Sequence, residues 1–325
     1  MRVNARWLDA AIGAVLVVLV LVGAARWIDT TARPIVIAQT GGPFVVVGLG
    51  LLFAVTVLLR RWWMLAPVAV VLSVALTQAV PTFLASTHPE AQRVMTVMSS
   101  NLDYGQANAE QLMAAVRARA ADVLVLIEAT PDAVRRLEDA GLDDVMPHHV
   151  GAARAENATV TLVYSRYPMS AVVADTAAET TPGTAPEVTL DVLGAPVRLK
   201  AVHVMPPLAG DTVRWRAGLS DLAQWRGRQP ATERLVLVGD FNAGFGHPGF
   251  RDVVGELTDA QRANGGGWVR TWPFVGHRMP PFVALDHVLS RGLVPMDAGQ
   301  EAIHGTDHAI VWGAYALTAE PAKTR

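Results

Sequence analysis

Residues Leu235–Ala243 read LVLVGDFNA. Leu235-Val236-Leu237-Val238 is a continuous apolar run of strand length, the pattern of a strand covered on both faces. Gly239 ends the run. Asp240 and Asn242 follow two apart, so their side chains project to one side of the strand end. Asp240 can accept a proton or bind a metal, and Asn242 can donate hydrogen bonds to a phosphoryl oxygen without adding charge. A plain Asp-Phe-Asn turn after a structural strand has the same local pattern. Function therefore turns on whether polar strand ends recur.

They do. Val94–Ser99 reads as a strand running into Asn101 and Asp103, and Asp122–Ile127 as a buried strand ending at Glu128. Thr159–Tyr164 is a strand, and Val188–Val192 with Val197–Val202 form a hairpin whose second arm ends at His203. Leu285–Ser290 contains Asp286, and Ala309–Leu317 is preceded by Asp307 and His308. Helical spacing marks Ala109–Arg119, Pro131–Ala140, Asp211–Arg226 and the short Phe250–Val254, whereas Ala174–Pro186 reads as a surface loop. Singly, Glu128 suits a helix-capping acid, His203 a core imidazole and Asp286 a turn. Together they suggest strands converging on one polar cleft.

The pattern resembles the endonuclease/exonuclease/phosphatase superfamily. The matching stretches are Ser100-Asn101-Leu102-Asp103, Leu126-Ile127-Glu128, Val163–Pro168, Ala201-Val202-His203, Gly239–Ala243, Thr271-Trp272-Pro273, Leu285–Val288 and Gly305–His308, in that family's order. The resemblance implies an α/β fold, a four-layer α/β sandwich of two mainly antiparallel sheets flanked by helices. It implies a metal-dependent hydrolase of phosphoric esters, with Mg²⁺ or Mn²⁺ held by Glu128, Asn101 and Asp307, and Asp103 behind them. A hard divalent ion suits oxygen donors. Asp240 would orient or deprotonate the attacking water, Asn242 hold a phosphoryl oxygen, and His203 bind the scissile phosphate. His308 would contact the phosphate or act as acid or base, with Asp286 fixing its tautomer. Which of Asp240 and His308 takes the proton is left open. His148, His149, His247, His277, His287 and His304 read as surface or structural.

The chain has 325 residues, 51% of them hydrophobic, with a mean hydropathy of +0.30. The apolar excess lies at the front, in Ala10–Ala25, Phe44–Leu59 and Trp62–Val80. Each is near the lower limit of a bilayer span, and Trp7, Trp27, Trp62 and Trp63 sit at the ends, where indoles suit the headgroup zone. We expect three transmembrane helices in residues 1–85, a linker at 86–92, a catalytic domain at 93–318 and a tail at 319–325. Arg2, Arg6, Arg60 and Arg61 favour a cytoplasmic N-terminus and hairpin, placing the catalytic domain outside a bacterial membrane. Residues 1–85 carry six Arg and two Asp, or +4; the whole chain is −2, so the remainder is −6. That balance, with no Lys/Arg cluster among aromatics and no long inserted loop, lacks the footprint of a tight nucleic-acid binder. There are no cysteines, which excludes disulfides and thiol chemistry.

The expected partners are the lipid bilayer and a phosphoester: nucleic acid on family frequency, or a phospholipid headgroup or sugar phosphate at the membrane surface. No obligate protein partner is implied. A catalytically silent binding module of the same fold is the alternative of another class, and the full polar set argues against it.

Overall fold

The computed structural model describes residues 5–86, 93–153, 159–172, 185–208, 210–274 and 279–317. The expected linker beyond Ser86, the expected tail, most of the Ala174–Pro186 loop and His277 lie outside the described residues.

The chain opens with α1 (Ala5–Ala24), α2 (Arg33–Gln39), α3 (Gly42–Leu58) and α4 (Trp62–Ala79). Helix α1 with its extension to Trp27, and α4 with its extension to Phe83, each make a 22-residue stretch long and apolar enough to cross a membrane. Helices α2 and α3 meet at a 64° bend and make a third crossing only if counted as one broken span. Two or three spans are thus compatible with the helices, and α2 is a separate short helix in what reads as the loop between the first two segments. Ile12, Leu52, Met64 and Val68 pack α1, α3 and α4 together, and Arg61 pairs with Asp9 at 3.2 Å.

Next come β1 (Met95–Asn101), α5 (Ala109–Ala118), β2 (Val123–Ala129), α6 (Pro131–Asp139), α7 (Leu142–Val145), β3 (His148–Val150), β4 (Val160–Ser165) and β5 (Met169–Ala171). They are followed by β6 (Glu187–Val192), β7 (Ala195–His203), α8 (Thr212–Arg228), β8 (Leu235–Asp240), α9 (Pro248–Val254) and β9 (Thr258–Asp259). The last are α10 (Ala260–Ala263), β10 (Asp286–Arg291), β11 (Leu293–Glu301) and β12 (Ile310–Leu317). Asn108 and Thr130 cap α5 and α6 by accepting N–H bonds from the third residue on.

Among the described residues the strands form two six-stranded sheets, ordered β11-β12-β1-β2-β4-β3 and β5-β6-β7-β8-β10-β9. Each is antiparallel except for one central parallel pair, β1 with β2 and β7 with β8. Helices α5 and α8 make the crossovers that parallel pairing requires. The apolar runs divide by alternation. Val236 and Val238 join Val97, Val125 and Ile127 between the sheets, whereas Leu235 and Leu237 face outward to Trp215, Leu219 and Phe250. Leu124 and Leu126 face Leu112, Val116 and Leu137 on the other flank. Period-two side chains covered on both faces explain why these strands have no polar face. Gly239 has φ +142°, and a Cβ there would lie 2.1 Å from the Val202 carbonyl oxygen, so only glycine lets β8 approach β7. Strand β11 has no counterpart in the sequence reading: Pro295 and Asp297, at a register shift, mask an edge strand.

Candidate active site

The two parallel pairs end side by side, and their ends carry the polar groups. In the second sheet, register sets His203 of β7 and Asp286 of β10 on either side of Asp240 of β8. In the first, β1 ends at Asn101, and Glu128 lies where the β2–β4 register shifts between Leu126 and Ala129. Glu128 has φ +55°, a left-handed backbone that a bulge sustains and that aims its carboxylate at the cleft. Asn242 has φ +46°, so the chain doubles back on Asp240.

Asp240 is the hub. Its Oδ1 accepts from the Asn242 N–H at 2.7 Å, and its Oδ2 from the side-chain amides of Asn242 at 3.1 Å and Asn101 at 3.2 Å. The Asn101 amide also donates to Glu128 Oε1 at 3.4 Å, so one side chain bridges the sheets. Asp103 fixes that amide: its N–H donates to Asn101 Oδ1 at 3.0 Å, which turns the NH₂ toward the carboxylates. His203 Nε2 lies 3.4 Å from Glu128 Oε1. His308 Nδ1 meets Asp286 Oδ2 at 2.8 Å, and its Nε2 stands 3.8 Å from both Asp240 Oδ2 and Asp307 Oδ1. Asn242 also donates to the Val204 carbonyl, which ties its amide to β7.

All nine residues singled out in the sequence thus fall on one cleft. Others to which the sequence assigns no role support them. Thr271 Oγ1 accepts the N–H bonds of Leu285 and Asp286, and Thr306 Oγ1 donates to the Asn101 carbonyl. The Trp272 indole donates to Asp307 Oδ2 at 2.8 Å, and that of Trp215 to the Asn242 carbonyl at 3.0 Å. The Thr-Trp-Pro stretch signals Thr271 and Trp272, but Trp215 reads as one more apolar position of α8. Of the remaining histidines, His247 and His287 are buried, whereas His148, His149 and His304 are exposed.

The electrostatics split the carboxylates. Burial pushes Asp240 up to about 6, with the Asp286 charge adding to the rise and His308 opposing it. Burial works against ionised Glu128, but the hydrogen bond and charge of His203, the Tyr104 N–H and the Asn101 amide outweigh it and hold it below the usual range. Burial also opposes charge on His308, yet Asp286 and Asp240 raise it to about 10. Asp240, Asp286 and His308 offer ligand atoms within 4.8 Å of one another. Four carboxylates against two imidazoles, with one carboxyl driven upward by burial and its neighbour's charge, form a donor set that fits a divalent cation.

No curated protein matches the chain. A truncated Caenorhabditis elegans TDP2 shares the fold at TM-score 0.54 and 14% identity, over 69% of this chain and 98% of that one. D. rerio TDP2 complexed with single strand DNA product gives 0.51 at 14%, over 69% and 99%. An endonuclease/exonuclease/phosphatase from Beutenbergia cavernae DSM 12333 gives 0.53 at 21%, over 72% and 74%. At such identities the likeness is one of fold. A sequence model of the Endonuclease/Exonuclease/phosphatase family matches residues 98–308, most of the chain and every strand end described above. The chain therefore belongs to the Endonuclease/Exonuclease/phosphatase family, metal-dependent hydrolases of phosphoester bonds.

Proposed function

We propose that this protein is a membrane-anchored phosphoesterase that directs water onto phosphorus in line with the leaving oxygen. The observation that carries the reading is the meeting of Asp240, Asp286 and His308 within 4.8 Å, with Asn101 joining them to Glu128. Glu128, ionised at neutral pH, would hold Mg²⁺ or Mn²⁺ together with Asp307 and the Asn101 side of the cleft. The ion would supply Lewis-acid polarisation of a phosphoryl oxygen.

The protein's own groups do the rest. Asp240, with its affinity for a proton raised, takes the proton of the attacking water. Asn242 donates to a phosphoryl oxygen and holds Asp240 through two hydrogen bonds. His308 stays protonated because Asp286 occupies its Nδ1, so Nε2–H faces the phosphate and the leaving oxygen. This assigns the base to Asp240 and the acid to His308. His203, paired with Glu128, adds a second cationic donor for the charge that builds on the phosphoryl oxygens.

Residues 1–85 would form the membrane domain and 93–318 the catalytic domain. The Asp9–Arg61 pair joins the first turns of α1 to the Arg60-Arg61 hairpin, which supports reading them as one end of the helix bundle. The positive-inside rule puts that end in the cytoplasm and the catalytic domain outside. The test is turnover of a chromogenic phosphodiester and monoester by the full chain with Mg²⁺, Mn²⁺ or chelator. Metal-dependent turnover that Asp240→Ala abolishes is expected; none, with Asp240→Ala indistinguishable from the parent, would leave a binding module. Protease shaving of spheroplasts should remove the catalytic domain, and full protection would reverse the orientation.

A further inference from the structure

We propose that the site works on the surface of the bilayer, and that its phosphoester belongs to an amphiphile lying in the same membrane as the chain. This rests on the hydrolase reading above and adds the substrate class.

The membrane helices do not merely tether the catalytic domain; they are seated against both sides of its active centre. On one side, Val36 of α2 is buried in the core beside Trp215, Leu219 and Phe250. The His247 Nδ1 accepts the Gly244 N–H at 3.0 Å, so its proton is on Nε2, which donates to the Val36 carbonyl at 3.2 Å. The His247 ring stands 5.2 Å from Trp215, whose indole bonds Asn242. A Cβ on Gly246 would lie 1.9 Å from the Gln39 carbonyl oxygen, which measures how closely α2 is applied. Arg216 of α8 clasps Asp29, between α1 and α2, through two 2.6 Å bonds. On the other side, Phe44 in the first turn of α3 packs on Trp268 at 5.3 Å and Phe282 at 6.0 Å. Phe282 lies 6.0 Å from Trp272, which bonds Asp307. The cleft is thus two or three side chains from the ends of apolar helices whose surfaces a bilayer must cover.

The second observation is independent. Tyr104, Leu208, Val213 and Met279 are each 57–68% exposed, and Leu193 at a hairpin tip is the one other large apolar side chain so exposed among the described residues of the catalytic domain. Tyr104 adjoins Glu128 through its backbone. Leu208 lies in the segment leaving β7 after His203, Val213 in the first turn of α8 and Met279 between Trp272 and Phe282. Large apolar side chains left exposed on segments beside the cleft, here called its rim, mark a surface that meets an apolar partner. Val213 lies one helical turn before Arg216, which holds Asp29, and Met279 lies three positions before Phe282, which packs on Phe44. A bilayer is the partner that continues from those helices, and it would receive the rim while a headgroup phosphoester enters the cleft. A nucleic-acid strand would need a basic groove, which an apolar rim does not supply.

The full chain is reconstituted into phosphatidylcholine vesicles and given Mn²⁺ with hexadecyl 4-nitrophenyl phosphate in the same vesicles, its methyl analogue in solution, or a single-stranded oligonucleotide. The hexadecyl ester is expected to exceed the methyl ester by about 100-fold in kcat/KM, since anchoring in the membrane concentrates and aligns it. Replacing Leu208, Val213 and Met279 together by Ser is expected to lower that ratio about tenfold, as lost apolar contact. Equal rates on the two esters, an unmoved ratio in the rim variant, or preference for the oligonucleotide overturns the substrate class and leaves the hydrolase reading standing. Absence of metal-dependent turnover on every ester overturns both.

Discussion

The two sheets each hold one parallel strand pair, and the pairs end differently. In the first sheet, β2 reaches the cleft through a bulge: Glu128 is in the left-handed region, its side chain 16% exposed and its carboxyl held ionised. In the second, β8 reaches the cleft as regular strand: Asp240 is 1% exposed and pushed up to about 6. The same α/β crossover thus delivers two carboxylates of opposite character. A kink that lifts one into the cleft mouth suits it to a cation, while burial of the other suits it to a proton.

The largest effect that separates the two ends is expected from Asp240→Asn. The change keeps the shape and removes the proposed base, so kcat should fall by roughly 10³–10⁴-fold with little change in the metal concentration needed. A loss that excess metal repairs would break the division of labour between the sheets. Next is the acid response of the second sheet's support. Burial holds the His247 imidazole down at about 4, below its ordinary 6.5. A depressed folded value means that the stability is fully present above 6.5 and is lost as the pH falls toward 4, by about 3 kcal/mol for one such group. Melting temperature of the full chain between pH 7 and pH 4.5 should show that fall, and His247→Gln should flatten it.

Glu128→Gln tests the first sheet. It is expected to raise the Mg²⁺ or Mn²⁺ concentration for half-maximal rate by about 10–100-fold, with activity largely restored at saturation. A rate loss that saturation leaves untouched would move Glu128 from the ion to the chemistry. The smallest effect is expected from Thr271→Val, which removes the acceptor for the N–H groups of Leu285 and Asp286. It should cost about 1–3 kcal/mol in thermal stability and blunt His308 only through Asp286.

Much of the two-sheet fold was legible from the residues. Val236 and Val238 face one core and Leu235 and Leu237 another, which is why an unbroken apolar run announced a doubly covered strand. Strand β11 was not legible, because Pro295 and the polar residues after it have no apolar alternation to read. Helix α2 was not legible either: seven residues are too few to show periodicity, and Val36 is recognisable as core only once His247, Trp215 and Phe250 surround it. Thr271 accepts two hydrogen bonds from distant backbone and Trp215 donates one, and nothing in their local pattern marks those partners.

By itself, the sequence determined which segments are strands buried on both faces, which are apolar enough for a membrane, and which acids, amides and imidazoles stand at strand ends. These follow from local spacing and side-chain chemistry. Only the tertiary structure decided that Asn101 bridges to Asp240 across 139 positions, that Glu128 stays ionised while Asp240 resists it, and that the apolar N-terminal helices are seated beside the cleft. Those depend on burial and on contacts between remote segments, and a proton's affinity for a carboxylate is set by its surroundings rather than by its neighbours in the chain.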